Sequence, residues 1–308
     1  MANEITPAVA AAALAVPLTK LIESISKGIG AVYKPIGIVR EAKAQVEANL
    51  ILTTGAIEER ELLARALQRF AFVESRRQAN IENIITEAKR SLPNAVSPEP
   101  VSDDWIAKFF ENCKDIGEHD LQRLWARLLS GEVAQPRTFS RRTMEILRTF
   151  SSEDAKVVAI FNDCVFTEKS SDINFIFVGI GSYGGVPCTA VTDIENHLIS
   201  LGLLNAGEES LPNIVDDWHI DYCGKEYIIP VNPWANLYAV ETHIPKMALR
   251  RFTVVGNELL KIVSRSPNES FIGKTLKVQF TNSQNQLLTA DEFRELKDQR
   301  EKNKRSGN

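Results

Sequence analysis

Apolar residues recur every three or four positions from Pro17 to about Arg40, which is the first periodic pattern along the chain. This spacing places them on one face and predicts an amphipathic α-helix. Lysines repeat every seventh residue beside that face. We name residues 1–40 the N-terminal segment, and its pattern is defined by Leu18, Lys20, Leu21, Ile22, Ile25, Lys27, Ile29, Val32 and Lys34.

The N-terminal segment has two interpretations. A cationic amphipathic helix, loosened by interior glycines that each cost about 1 kcal/mol relative to alanine, can lie on an anionic membrane surface. Its apolar face can instead pack on its own domain or on a second copy of the chain, and we favour this packing. The longest apolar run, from Pro7 to Leu18, is shorter than the roughly 20 residues that a membrane-spanning helix needs.

Residues 41–92 are rich in Ala, Glu, Arg, Gln and Leu and predict one or two long helices, because these side chains lose little freedom in a helix. An apolar stripe within them is typical of a core or an oligomer seam, and it consists of Leu62, Leu63, Ala66, Leu67, Phe70 and Val73. Residues 93–101 hold three prolines, which cannot continue a helix, and we expect a linker there.

Residues 102–167 predict four short helices joined by tight turns. Trp105 and Trp125 lie at apolar positions that face inward on the first two helices. Gly131 ends the second helix, and Ser140 can cap the third through its hydroxyl. This region is therefore expected to form a compact helical unit.

Residues 168–265 change to an alternation of β-branched runs and helical patterns, and the order predicts an α+β module similar to a winged helix. Residues 266–308 add one strand and a charged C-terminal helix or tail. The expected fold class is mainly α, with this α+β module following the helices. The elements expected are strands Ile173–Ile180, Glu226–Val231, Arg250–Val255 and Thr275–Phe280, and helices Asp193–Leu201, Asn257–Val263 and Asp291–Arg305.

Composition narrows the function classes. The 308 residues are 44% hydrophobic and 25% charged with a net charge of -4, which is typical of a globular protein and argues against a polybasic coat for nucleic acid. The four cysteines and four histidines are scattered without the spacing of a zinc site. We therefore expect free thiols in a cytoplasmic protein, with no metal, no cofactor and no catalytic residues.

Arginines are concentrated between positions 123 and 148, with few acids among them. Guanidinium groups beside a helix N-terminus can bind phosphates, including those of nucleic acid. They can instead form ion pairs with acids on the preceding helix, which is the interpretation we favour. The arginines are Arg123, Arg127, Arg137, Arg141, Arg142 and Arg148.

Three glycines, Gly179, Gly181 and Gly184, match the spacing of a dinucleotide-binding loop after an expected strand. Pro187 interrupts the helix start that would bind the pyrophosphate, and no repeated strand-helix units follow. A glycine turn is the better interpretation. The helix that would read DNA in a winged helix, Asp193–Leu201, carries no Lys or Arg, so protein contacts suit the module better than DNA contacts.

An ordered series of residues resembles the signature of a bacterial family known only as a domain of unknown function. The core of the signature is Leu-Trp-Ala-Arg-Leu-Leu at residues 124–129, followed by Gly-Glu, a proline and Ser-Arg-Arg-Thr at residues 140–143. A weaker resemblance is to the abortive-infection alpha proteins, and it implies a place in bacterial defence against phage. The signature residues are Trp105, Phe109, Trp125, Arg127, Gly131, Pro136 and Ser140.

These patterns together predict a non-enzymatic protein that forms a homo-oligomer through its N-terminal helices and acts in phage defence. In this hypothesis the N-terminal segment is held on the protein until a phage or defence-system protein triggers its release onto the inner membrane. The alternative is a nucleic-acid-binding regulator of the winged-helix type that uses the arginines between residues 123 and 148.

Overall fold

The computed structural model describes residues 7–29, 57–178, 182–183, 186–210, 217–230, 248–268, 271–276 and 287–306. The fold is helix-rich and contains an antiparallel sheet. The chain divides into two compact units, residues 1–155 and 156–308. The boundary falls inside a helix, twelve residues before the change of pattern that the sequence shows after residue 167.

The described part of unit 1 is helical apart from its connecting segments. Its helices are α1 (Pro7–Ile29), α2 (Ile57–Ser91), α3 (Asp103–Cys113), α4 (His119–Ala134), α5 (Arg141–Arg148) and the first turn of α6 (Ser152–Asn162). The segment between α2 and α3 has no helix, as its prolines require. Four helices thus lie between residues 103 and 162, in the region where four short helices were expected.

Aromatic side chains of α3 and α4 form the centre of the unit 1 core. Phe109 stacks on Trp105 and meets Trp125 edge to face, with 5.4 Å between ring centroids in each pair. Such aromatic pairs add about 0.5–1.5 kcal/mol beyond the burial of their area. The fully buried Leu21 and Ile25 of α1 join this core, since α1 packs on α3 and α4.

Unit 2 is built on a seven-stranded antiparallel sheet with the order β5-β8-β2-β1-β6-β7-β9. Its strands are β1 (Phe166–Glu168), β2 (Ile173–Val178), β5 (Glu209–Ser210), β6 (Trp218–Tyr222), β7 (Lys225–Ile229), β8 (Ala248–Arg251) and β9 (Leu288–Thr289). A separate two-stranded ribbon is formed by β3 (Ser182–Tyr183) and β4 (Val186–Pro187). The helices described in this unit, besides the remainder of α6, are α7 (Cys188–Ser200), α8 (Val254–Leu260) and α9 (Ala290–Ser306), with a π-helical turn at Phe271–Leu276.

One face of the sheet carries the aromatic core of unit 2. The register pairs Phe166 with Phe175, and alternate residues of a strand point to the same face. Phe177, Trp218 and Tyr222 extend this aromatic layer, which is closed by the π-helical turn through Phe271. Burial of these rings explains why short strands form a stable sheet here.

Several helices and strands begin or end at residues other than those predicted from the sequence. The strand expected at Arg250–Val255 ends at Arg251, because the Thr253 hydroxyl accepts the Gly256 amide and starts α8 at Val254. The strand expected at Thr275–Phe280 is wrong at its first two residues, which belong to the π-helical turn, and its other residues lie outside the described part. The winged-helix-like module is not confirmed, and the sheet contains strands that the pattern did not predict.

Candidate functional site

The loop between α4 and α5 is organised by a buried carboxylate. Glu132 is 2% exposed, and its two oxygens accept the backbone N–H groups of Arg137, Thr138 and Phe139 at 2.7–3.0 Å. Hydrogen bonds to an ionised group are about twice as strong as neutral ones. Arg137 adopts a left-handed backbone (φ 71°) within this loop. Glu132 therefore holds the loop in one conformation.

Other signature residues complete the same loop. The indole N–H of Trp105 donates to the Phe139 carbonyl at 2.8 Å, and the Ser140 hydroxyl accepts the Thr143 amide as the cap of α5. A Cβ at Gly131 would lie 2.8 Å from the Phe139 ring, so only glycine allows this close packing. Trp105, Gly131 and Ser140 of the signature, together with Glu132, thus have a structural explanation.

Polar contacts join α2 to the end of α3. The Asn80 amide donates to the Lys114 carbonyl at 2.9 Å, and Gln122 donates to Asn80 at 3.3 Å. Arg77 donates twice to the Asp115 carboxylate, at 2.9 and 3.0 Å. These hydrogen bonds lower the pKa of Asp115 and raise that of Arg77. These contacts therefore attach the C-terminal half of α2 to the rest of unit 1.

The structure separates the arginines between residues 123 and 148 into different roles. Arg141 pairs with Asp104 at 3.1 Å, as the structural interpretation predicted for an acid of the preceding helix, whereas Arg123 and Arg148 pair with acids of their own helices. The other acids on α3 and just after it pair with other cations: Asp103 pairs with Lys27, Glu111 with Lys114, and Asp115 with Arg76 and Arg77. Arg127 is half-buried on α4, and Arg137 and Arg142 are exposed.

The N-terminal segment is packed on its own unit where the structure describes it. Leu21 and Ile25 are fully buried, while Leu18 and Ile22 lie at the exposed edge of α1. Lys20 donates to the Ser97 carbonyl at 2.5 Å, and Lys27 pairs with Asp103 at 3.3 Å. The side chain of Ile29 and all of Val32 and Lys34 lie outside the described residues.

Gly28 is the point of closest approach between α1 and α3. A Cβ at this position would lie 2.6 Å from the Phe110 ring and 2.8 Å from the Ile106 side chain. The sequence suggested that this glycine loosens the helix. The structure gives another reason, since glycine allows α1 to approach α3.

The apolar stripe of α2 is the candidate interaction site. Leu62 and Phe70 are 63% and 56% exposed, although they lie on the same helix face as the buried Asn80, Ile84 and Ala88. The face is thus covered in the C-terminal half of α2 and open to solvent in its N-terminal half. Isolated exposed apolar residues are ordinary, but an exposed stripe that continues a buried face is typical of an interaction surface.

Potential metal ligands are scattered over the described part of the chain. No group of three or more potential metal ligands occurs there, and none of the helices described is both long and apolar enough to cross a bilayer. A small cavity of about 180 Å³ lies on the aromatic face of the sheet. Among its charged residues, Arg251 Nε lies 2.8 Å from Glu209, and Glu168 accepts the Trp218 indole N–H at 2.9 Å. The glycines of the dinucleotide-like pattern lie outside the described residues.

Comparison with known proteins adds one relationship. A domain described as "Protein of unknown function (DUF2806)" is found at residues 64–188, which extends from the apolar stripe of α2 to the start of α7. The domain contains the whole signature of α4 and α5. No curated protein and no solved structure gives a significant match to this chain.

Proposed function

We propose that this chain is a non-enzymatic protein that self-associates through the N-terminal half of α2. The observation that carries the proposal is one face of α2, which is buried at Asn80, Ile84 and Ala88 but exposed at Leu62 and Phe70 of the apolar stripe. Residues 57–76 form about 30 Å of helix, since each residue adds about 1.5 Å. This length suits a two-helix contact with a second copy of the chain.

The apolar positions of α2 are compatible with an antiparallel arrangement of the two copies. Paired about Ala66, Leu62 of one copy would face Phe70 of the other. Both side chains would then be removed from water in the seam between the two helices.

Self-association is tested by light scattering of the full-length protein after size-exclusion chromatography. Phe70→Glu should convert the oligomer to a monomer, because it places a charge in the seam. Phe72→Glu is the matched control, since Phe72 is 70% exposed but lies about 200° around the helix from Phe70. A monomeric native protein, or equal effects of the two variants, would overturn the proposal.

The proposed setting is phage defence in the bacterial cytoplasm, at the surface of the inner membrane, and it rests on the resemblance to abortive-infection alpha proteins. Helix α1 is the proposed effector, held on unit 1 by Leu21 and Ile25 and released by a phage or defence-system protein that unit 2 recognises. The packing of α1 supports the held state.

Membrane action is tested by flotation of the protein with anionic liposomes. Leu18→Asp with Ile22→Asp changes exposed positions of α1 and should abolish flotation without unfolding the domain. A double variant at Leu62 and Phe70 of α2 is the control for non-specific apolar contact. Flotation that survives the α1 substitutions would contradict the effector role.

A second candidate function is that of a winged-helix-type nucleic-acid-binding regulator, in which the arginines between residues 123 and 148 contact phosphates. The observation that favours it is the exposure of Arg137, Arg141 and Arg142 around the start of α5. Arg141→Ala with Arg142→Ala should weaken binding and reduce its salt dependence, because each phosphate contact releases counterions. No binding to duplex DNA or RNA at low salt would exclude this candidate.

A further inference from the structure

Three segments of unit 2 converge beside the aromatic layer. They are the turn after α6, the turn between β6 and β7, and the chain around residue 266. The Tyr222 hydroxyl donates to the Asp163 carbonyl at 2.6 Å and accepts the Asn268 amide at 2.9 Å. The Ser266 amide donates to the Asp163 carboxylate at 2.8 Å. These bonds hold the three segments together.

Two cysteines lie at this junction. Cys164 belongs to the aromatic core cluster, and Cys223 packs against the same cluster. The register pairs Thr167 with Asp221, so each cysteine lies within three residues of this strand pair. The two sulfurs are also close enough for Cys223 to raise the pKa of Cys164 through electrostatic repulsion. Both thiols are free in this structure.

The turn that carries Cys223 brings its side chain toward the cluster. Cys223 and Gly224 connect β6 to β7 as a two-residue turn, with φ angles of 52° and 80°. Both values lie in the left-handed region, as a type I′ hairpin turn requires. A cysteine is unusual in this conformation, which asparagine, aspartate and glycine normally adopt.

Arg265 supplies positive charge to the same junction. Its guanidinium carbon lies 5.7 Å from the centre of the Tyr222 ring. Its Nε and Nη2 atoms are buried without an oxygen or nitrogen acceptor among the described residues. Burial raises the pKa of the Cys223 thiol, whereas a hydrogen bond and the positive charge of Arg265 both lower it to a smaller extent. The guanidinium can therefore stabilise a negative charge on the Cys223 sulfur, because hydrogen bonds to ionised groups are the stronger ones.

We infer that Cys223 and Cys164 form an oxidisable dithiol that reacts with hydrogen peroxide to give an intramolecular disulfide. The Cys223 sulfur attacks one peroxide oxygen, the O–O bond breaks, and the products are a sulfenic acid and water. The Cys164 sulfur then attacks the Cys223 sulfur, and the hydroxyl leaves as a second water. Two thiols lose two electrons and two protons, and peroxide is reduced to two waters.

Each residue has a defined part in this reaction. Arg265 donates its buried N–H groups to the anionic sulfur or sulfenate of Cys223, and it is a positioning residue. Burial raises the pKa of Cys223, and it raises the pKa of Cys164 to about 12, while Arg265 opposes both changes. Because the thiolate is the nucleophile, the reaction is faster at alkaline pH than at neutral pH.

The test uses the full-length protein treated with hydrogen peroxide, blocked with N-ethylmaleimide and digested without reduction. Mass spectrometry should find the peptides of Cys164 and Cys223 joined, with the loss of two hydrogens. Cys113 is the internal control, because it is fully buried in unit 1 and should remain reduced. A bridge that includes Cys188, or two unmodified thiols at the junction, would overturn the inference.

Variants separate the two steps. Cys164→Ser should leave Cys223 as a sulfenic acid that dimedone labels, whereas Cys223→Ser should abolish both the label and the bridge. Arg265→Met should slow the formation of the bridge several-fold. Arg294→Met is its matched control, because Arg294 is an exposed residue of α9. Equal rates in the two arginine variants would contradict the role of Arg265.

Discussion

Two buried glutamates show how the environment decides what a carboxylate does. Glu132 accepts three backbone N–H groups, and these bonds offset the loss of its hydration. Glu195 of α7 is equally buried but lies 3.9 Å from Arg250 without a close hydrogen bond to it. Desolvation therefore raises the pKa of Glu195 to about 7, although Arg250 lowers it.

Replacement of Glu132 by alanine should strongly destabilise unit 1. The substitution leaves the amides of three loop residues without their acceptor, including the buried amide of Phe139. Hydrogen bonds to charged groups contribute about 1.5–3 kcal/mol each, so we expect a loss of at least about 3 kcal/mol. Urea unfolding measures it, with Glu111→Ala on the surface of α3 as the control. A loss below about 0.5 kcal/mol would contradict the role of Glu132.

The raised pKa of Glu195 predicts a pH dependence. The folded protein binds the proton of this carboxyl more tightly than the unfolded chain does, whose pKa is near 4.5. The stability contributed by Glu195 therefore falls as the pH rises from about 4.5 to about 7. Glu195→Gln should gain stability relative to the native protein between pH 5 and pH 8, measured by urea unfolding at each pH. A constant difference over that range would exclude the raised pKa.

At the level of elements, helices α1 and α2 differ in what covers their apolar faces. The face of α1 is divided, because Leu21 and Ile25 are buried and Leu18 and Ile22 are at the edge. The face of α2 is covered in one half only. The apolar residues of both helices have the same helical periodicity. The pattern therefore predicts that one face of each helix is apolar, but it does not show which part of the structure covers that face.

Truncation of α1 side chains should destabilise the protein more at the buried side of the helix than at its exposed edge. Leu21→Ala should cost about 2–5 kcal/mol, as is usual for a fully buried leucine. Leu18→Ala should cost less than about 1 kcal/mol, because Leu18 is 40% exposed. Thermal unfolding of the two variants gives the comparison. Equal losses would mean that α1 is not packed as described.

At the level of the whole molecule, stability and assembly are linked. The apolar stripe of α2 belongs to unit 1, and each unit has its own buried core. If two copies associate only when folded, association stabilises the folded state by mass action. The free energy of unfolding then depends on protein concentration.

This linkage predicts that Tm rises with protein concentration. A hundredfold increase should raise Tm by several degrees in the native protein, because dilution favours dissociated chains. Phe70→Glu should remove the dependence, and Phe72→Glu should retain it. Differential scanning calorimetry over this range provides the measurement. A Tm that does not change with concentration would exclude a dimer coupled to folding.

The sequence alone determined the elements with strong local signals. The buried strand at Ile173 and the charged C-terminal helix are confirmed, since β-branched runs and long polar helical patterns depend on near neighbours. Ser140 caps α5 as predicted, because capping involves residues three positions apart. The signature at residues 124–143 is also a local series of residues, and for that reason it can be recognised in the sequence.

The structural roles of other residues were decided only by tertiary contacts. The role of Glu132 depends on a loop that folds back onto it, and that of Gly28 on the ring of Phe110 in another helix. The short strands β5 and β9 exist only because neighbouring strands bind them. The junction of Cys164 with Cys223 joins residues 59 positions apart along the chain. Contacts between distant residues leave no periodic trace in a single sequence, so only the folded chain shows them.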